Sequence, residues 1–212
     1  MFIYIYMSRF EACSELSIKT FQYFTSSYRD IIKERDKDFY KYNTTDLDNF
    51  SFVINKYSGK DYTLLNNYLR DGVVDYNSKY DENDLKSWAW CLHSSLQYRT
   101  SNVENGTEVY RGISHRAPYD WEEGDRFYFG EFVSTSKLKE KAEAFAKNNT
   151  LLVINITNNG NNGNNNYCRD ISKISKYPEE EEILITSFCR YEITDIDRDD
   201  NLDIFYLDCL GY

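Results

Sequence analysis

The spacing of apolar residues changes along the chain. Over residues 10–34, Phe21, Phe24, Tyr28, Ile31 and Ile32 recur at the three-to-four spacing of one helix face. A mixed stretch follows and ends at Gly59, a natural stop. Residues 61–72 resume the helical pattern: Leu64, Leu65, Tyr68 and Leu69 make a stripe, and Gly72 stands where a helix ends. Residues 81–98 predict another helix, opened by Asp or Asn caps, with Leu85, Trp88, Leu92, Ser95 and Leu96 on its buried side. Beyond it the period shortens. Segments 108–114, 126–137, 150–157, 180–196 and 202–211 alternate or run apolar over short lengths between Gly, Asn and Asp, which reads as strands. One helix interrupts them at 137–149, rich in Ala, Lys and Glu. Helices followed by mostly antiparallel strands form an α+β pattern. The expected organisation is one domain over 1–212, mainly helical at 1–105 and β-rich at 106–212. Residues 158–166 are only Asn and Gly and read as a loop between strands.

Composition narrows the class. Aromatics are 17% of the 212 residues, with 20 Tyr and 13 Phe, so much of the core must be aromatic. The formal net charge is -10. That argues against capture of nucleic acid or an anionic membrane, since both need a basic surface. The five Cys (13, 91, 168, 189, 209) are dispersed without a Cys-x-x-Cys pair and read as reduced thiols. With only His93 and His115 available, no metal site is expected. No segment approaches the ~18 apolar residues of a membrane span. The opening MFIYIYM is apolar but lacks a basic start, so it makes a poor signal peptide. Location stays open between the cytoplasm and a delivered or secreted effector.

Three short segments carry chemistry. The first is the acidic run Glu179–Glu182, followed by Ile183, Leu184 and Ile185. An acidic run is usually a solvated turn, but this one abuts a strongly apolar strand. If its last members are strand residues, Glu180 and Glu182 share a face and Glu181 points away. Two carboxylates on one face repel unless something cationic sits between them. A guanidinium or a developing oxocarbenium ion would serve. The second segment is Ser134-Thr135-Ser136, where two hydroxyls share a face and can orient a carboxylate or a ribose. The third is Arg111-Gly112 within an apolar strand: a charged fork suited to phosphate, beside a residue that lets a ligand approach the backbone. Taken singly, each is also the pattern of an ordinary strand edge or surface turn.

Together, in this order, they resemble the Arg–Ser–Glu class of mono-ADP-ribosyltransferases, the cholera-toxin-like and actin-modifying-toxin-like enzymes. The resemblance covers about residues 57–190. It implies helices packed on a two-sheet, mostly antiparallel β core with a central NAD cleft, and NAD as substrate. It implies Glu182 as the central catalytic residue, with Ser134 holding it. Arg111 would clamp the pyrophosphate, and the Gly112 backbone would meet the nicotinamide amide. Thr135 and Ser136 complete the Ser-Thr-Ser shelf of the cofactor site. Phe145 would cover the nicotinamide ring, with Lys147 near the phosphates. Tyr62 and Asn66, four apart on one helix, would face the cleft, with Arg70 one turn on. Asn148 stands where some actin-modifying members carry Arg. Tyr177, ahead of Pro178, would contact the protein target. In this class, Glu at the position of Glu180 goes with an arginine acceptor, whose proton that carboxylate would take. The expected partner is a protein with an accessible arginine, actin or a small GTPase among the options. Two rivals use the same residues: an NAD glycohydrolase and a catalytically inactive NAD-binding module. A plain acidic interaction domain is the remaining alternative.

Overall fold

A computed structural model describes residues 53–72, 74–75, 78–97, 103–157, 167–198 and 201–211. The expected helix over 10–34 and the loop 158–166 lie outside the described residues. Val53–Tyr212 forms one compact unit. It opens with a helical stretch at 53–57. Helix α1 (Tyr62–Asp71) and helix α2 (Glu82–Gln97) follow. The strands are β1 (Thr107–Ile113), β2 (Arg126–Tyr128), β3 (Val133–Ser136), β4 (Thr150–Ile156), β5 (Cys168–Asp170), β6 (Glu182–Ile185), β7 (Arg190–Arg198) and β8 (Asp203–Gly211). Helix α3 (Lys139–Ala146) lies between β3 and β4.

Both early helices end and begin as their sequences predict. Gly72 takes a left-handed φ of 67°, and its N–H closes α1 on the Tyr68 carbonyl at 2.8 Å. Asp81 and Asp84 cap α2 reciprocally: the Asp84 N–H donates to Asp81 Oδ1 at 2.8 Å, and the Asp81 N–H to Asp84 Oδ2 at 3.2 Å.

The expected two sheets are one. Its eight strands run in the order β2-β7-β8-β4-β1-β3-β6-β5. All neighbours are antiparallel except β4 and β8, which run parallel. The division survives as a weak seam. β1 pairs with β4 along seven residues, but it meets β3 only at Tyr110 opposite Ser136. Two expected strands are also each broken in two. Residues 129–132 separate β2 from β3, and the turn at 186–189 separates β6 from β7, with Phe188 at φ 64°. The Phe188 N–H donates to the Phe129 carbonyl at 2.8 Å, so the two breaks brace each other.

Strand β4 explains its uninterrupted apolar run. Leu152, Ile154 and Ile156 enter the main core with Val109, Ile183, Ile185, Tyr191, Phe205 and Leu207. Leu151 and Val153 face the other way, against Ala142 of α3. A strand covered on both faces has no polar side to alternate with. The aromatic content fills the same core: Phe127 stacks on Trp121 at 4.6 Å and on Tyr191 at 5.7 Å between ring centroids.

Candidate active site

The seam gathers the three chemical segments. Strand β1 carries Arg111 and Gly112, β3 carries Ser134, Thr135 and Ser136, and β6 opens on Glu182, opposite Ser136. Glu182 is only 6% exposed. Its carboxylate accepts hydrogen bonds from the Ser134 hydroxyl and, at 3.5 Å, from Ser175 Oγ. Burial pushes the Glu182 pKa up to about 7; the two hydroxyls pull it down, and the Glu180 charge adds to the rise.

The Glu180 charge reaches Glu182, but the two carboxylates are not set by strand alternation. Pro178–Glu180 is a turn of 3-10 helix with Pro in its first turn, and Glu181 then takes a left-handed φ of 44°. Proline suits the first turn of such a helix, and the left-handed Glu181 ends it, so β6 starts only at Glu182. The turn leaves Glu180 part-buried. Burial raises its pKa first, then the Glu179 charge, against a lowering from Lys141.

The Ser-Thr-Ser segment divides its work. Thr135 donates to the Ile183 carbonyl at 2.7 Å and so locks β3 to β6. Ser136 Oγ donates to the Glu180 carbonyl at 2.6 Å and accepts the Leu138 N–H at 2.9 Å, which fixes the turn beneath Glu180. Ser134 alone faces the Glu182 carboxylate.

Three residues that the sequence did not single out complete the support. Tyr57 is buried, and its hydroxyl lies 3.3 Å from Ser134 Oγ. Asn66 Nδ2 donates to that hydroxyl at 3.0 Å and to the Phe132 carbonyl at 3.2 Å. Asn66 is thus only 6% exposed and braces the strand that carries Ser134, while its Oδ1 is buried without a partner. Ser175 is the second. The third is Glu131, nearly buried, which receives Arg111 Nη2 at 3.3 Å. The Arg111 guanidinium also sits 5.4 Å from the Phe129 ring centroid. A hydrophobic-polar pattern gave no signal for them, because each acts through a partner distant in sequence or on another element.

Gly112 also has a packing reason that the sequence did not show. A Cβ there would meet the Ala142 carbonyl oxygen at 1.9 Å and the Ala146 nitrogen at 2.5 Å. The space a side chain would take is filled by the backbone of α3, so the missing Cβ lets that helix come close.

The remaining candidates are exposed. Tyr62 is 43% exposed and Phe145 is 58% exposed, so both present open aromatic faces. Lys147 is exposed at the left-handed end of α3, with Asn148 after it. Arg70 and Arg111 both act on His115: burial first, then these two cations, hold its imidazole below the ordinary value. Those two guanidinium groups, within electrostatic reach of one residue, are suited to a pyrophosphate. Among the described residues no group of three or more His, Cys, Asp or Glu is placed to hold a metal. No helix among them is long and apolar enough to cross a membrane.

The fold is that of the ADP-ribosyltransferases. Exoenzyme S from Pseudomonas aeruginosa, solved with human 14-3-3 protein beta and bound to carba-NAD, is 20% identical with a TM-score of 0.60; the match covers 78% of this chain and 76% of that one. The Vis ADP-ribosyltransferase of Vibrio splendidus, solved with agmatine, is 20% identical with a TM-score of 0.62 over 85% of each chain. The toxin Plx2a from Paenibacillus larvae is 17% identical with a TM-score of 0.60, over 87% of this chain and 97% of that one. A comparison with curated protein sequences finds no match. The chain belongs to the NAD:arginine ADP-ribosyltransferase family, whose sequence profile matches residues 19–211. NAD is therefore its substrate, and ADP-ribosyl transfer its reaction.

Proposed function

We propose that this single domain transfers ADP-ribose from NAD to an arginine side chain of a protein, with Glu182 and Glu180 in separate roles. The observation that carries this reading is the pair itself. One carboxylate is buried and held by two hydroxyls; the other stands part-exposed above it.

The bond that breaks joins the nicotinamide nitrogen to ribose C1′. Its electron pair leaves with neutral nicotinamide, and positive charge develops on the ribose. Glu182, ionised, stabilises that charge from a site with little water to screen it. Ser134 and Ser175 keep its carboxylate aimed. Arg111, fixed by Glu131 and Phe129, grips the pyrophosphate, with Arg70 and Lys147 on the same approach. The Gly112 backbone meets the nicotinamide amide. Phe145 and Tyr62 cover the flat ring, and Asn66 holds the frame behind Ser134.

An arginine guanidinium is fully protonated in water and is a poor nucleophile. Glu180 orients it, takes one proton, and frees a nitrogen lone pair to form the new bond to C1′. Tyr177, exposed one turn earlier, contacts the incoming protein. Agmatine, the ligand of the Vis structure, carries the same guanidinium as arginine.

Mass spectrometry of a cell lysate incubated with NAD and the enzyme tests the acceptor. Arginine-linked ADP-ribose supports the reading. Modification of another residue type, or free ADP-ribose with no labelled protein, contradicts it.

A further inference from the structure

A second feature adjoins the site through the segment that carries Ser175. Helical residues 53–57, the turn after them and the segment before Pro178 border an open cavity of about 360 Å³, lined by Lys56, Gly59, Lys60, Asp61, Lys176 and Tyr177. Three of its six lining residues are lysines, in a chain whose net charge is -10. The one carboxylate of the lining is already engaged. Asp61 Oδ2 receives Lys79 Nζ at 2.9 Å and the Tyr80 hydroxyl at 2.8 Å. Among the described residues, none of Lys56, Lys60 and Lys176 lies within ion-pair distance of a carboxylate.

The cavity is built, not incidental. Lys56 Nζ is held 4.2 Å from the Trp88 ring centroid and 4.3 Å from that of Tyr80. Lys176 Nζ lies 2.5 Å from the place a Cβ of Gly59 would occupy, so the absence of a side chain there makes room for the amine. Two hydrogen bonds join the walls: the Lys176 N–H donates to Ser58 Oγ at 3.0 Å, and Asn55 Nδ2 donates to the Ile174 carbonyl at 3.3 Å.

It is also coupled to the proposed transfer site through consecutive residues. Ser175 hydrogen-bonds Glu182, Lys176 and Tyr177 line the cavity, and the Glu180 N–H donates to the Tyr177 carbonyl at 3.1 Å. Whatever fills the cavity lies within one turn of the Glu180 backbone. The amine lining suits anions, and the cations suited to a pyrophosphate stand elsewhere, at Arg70 and Arg111.

We propose that this lysine-lined cavity docks an acidic segment of the protein target, bringing the neighbouring acceptor arginine to Glu180. Exposed Tyr177 supplies the aromatic anchor common at protein contacts. The lysines offset the repulsion that a net negative enzyme exerts on an acidic surface and fix its orientation. The inference rests on the transfer reading for what happens beside the cavity, but docking itself is measurable without turnover.

The test uses the whole chain and two fluorescent peptides. Each carries one arginine, followed in one by glutamates and in the other by glutamines. Anisotropy should show the glutamate peptide binding about tenfold more tightly at low ionic strength, with the advantage shrinking in high salt. In Lys60→Gln/Lys176→Gln, which spares the packed Lys56, the advantage should fall to about twofold or less. Nicotinamide release and transfer to agmatine should be unchanged in that variant. Equal binding of the two peptides, an advantage that survives the substitutions, or displacement of the glutamate peptide by inorganic phosphate as readily as by unlabelled glutamate peptide would each overturn the proposal. An enzyme that binds the glutamate peptide selectively and releases nicotinamide, yet never modifies agmatine, would retire the arginine reading and leave the docking site standing.

Discussion

Glu182 concentrates the energetics of the site in one carboxyl group. Its folded pKa, about 7, lies above the ordinary 4.5, so the folded state binds the proton more tightly than the unfolded chain does. Stability therefore falls as pH rises from 4.5 to 7 and levels off above. The cost at pH 8 is on the order of 3 kcal/mol. Glu182→Gln should accordingly melt at a higher temperature than the wild type at pH 8, with the gap closing toward pH 4. Equal melting at both pH values would show that the carboxylate is not strained. Catalysis runs the other way, since the ionised form is needed. The kcat/KM for nicotinamide release should rise with pH around a midpoint near 7. Removing the neighbouring charge in Glu180→Gln should move that midpoint down. A flat profile across pH 5 to 9 would count against the assignment. Tyr57 acts at one remove. Tyr57→Phe takes a hydroxyl from Ser134 and Asn66, and should cost ~1–2 kcal/mol of stability. It should lower kcat about tenfold with KM for NAD nearly unchanged, because it touches the support of Glu182 and not the approach. A change in KM alone would refute that placement. At this scale the sequence pointed to Arg111, Ser134, Glu180 and Glu182 because their segments stand in a recognisable order. Tyr57 and Glu131 gave no such signal: a tyrosine and a glutamate are common anywhere, and their partners lie 77 and 20 residues away.

Among the elements, the helix and strand types followed from periodicity, while their junctions did not. Helices α1 and α2 lie where their stripes and caps placed them. The strand runs at 126–137 and 180–196 each proved to be two strands, since apolar residues continue through the bends at 129–132 and 186–189. The alternation argument for Glu180 failed for a related reason: Pro178 sets a 3-10 turn that an acidic run does not advertise. Gly112 shows what a sequence leaves ambiguous. Glycine marks a close approach, but not of what; here it is the backbone of α3. Gly112→Ala should thus disrupt α3 packing, with a loss of several kcal/mol, comparable to severe core overpacking. Unfolding in urea should show a large fall in midpoint. A variant as stable as the wild type would mean that α3 can move away freely.

For the whole molecule, one described unit holds a seam where β1 and β3 part after a single pairing, and every candidate catalytic group lies at that parting. The division was legible as two sheets; that one bridge joins them was not, since a lone pair leaves no periodic trace. Charge organises the outside. The chain is strongly acidic, yet among the described residues Arg70 and Arg111 both act on His115, and three lysines line the pocket beside Tyr177. NAD binding beside Arg111 should stabilise the fold. In Glu182→Gln, where the ligand survives, saturating NAD at about 100 times its dissociation constant should add ~2.7 kcal/mol and raise the melting temperature by several degrees. No shift at any NAD concentration would mean that the folded protein does not bind the nucleotide.

The central claim is that two carboxylates divide the reaction, one serving bond cleavage and the other the acceptor. Nicotinamide release and transfer to agmatine, measured side by side in three proteins, test it most directly. The wild type should do both. Glu182→Gln should lose both by several orders of magnitude. Glu180→Gln should lose transfer yet keep nicotinamide release with water as acceptor. If the two variants lose both activities to the same degree, the division of labour is wrong.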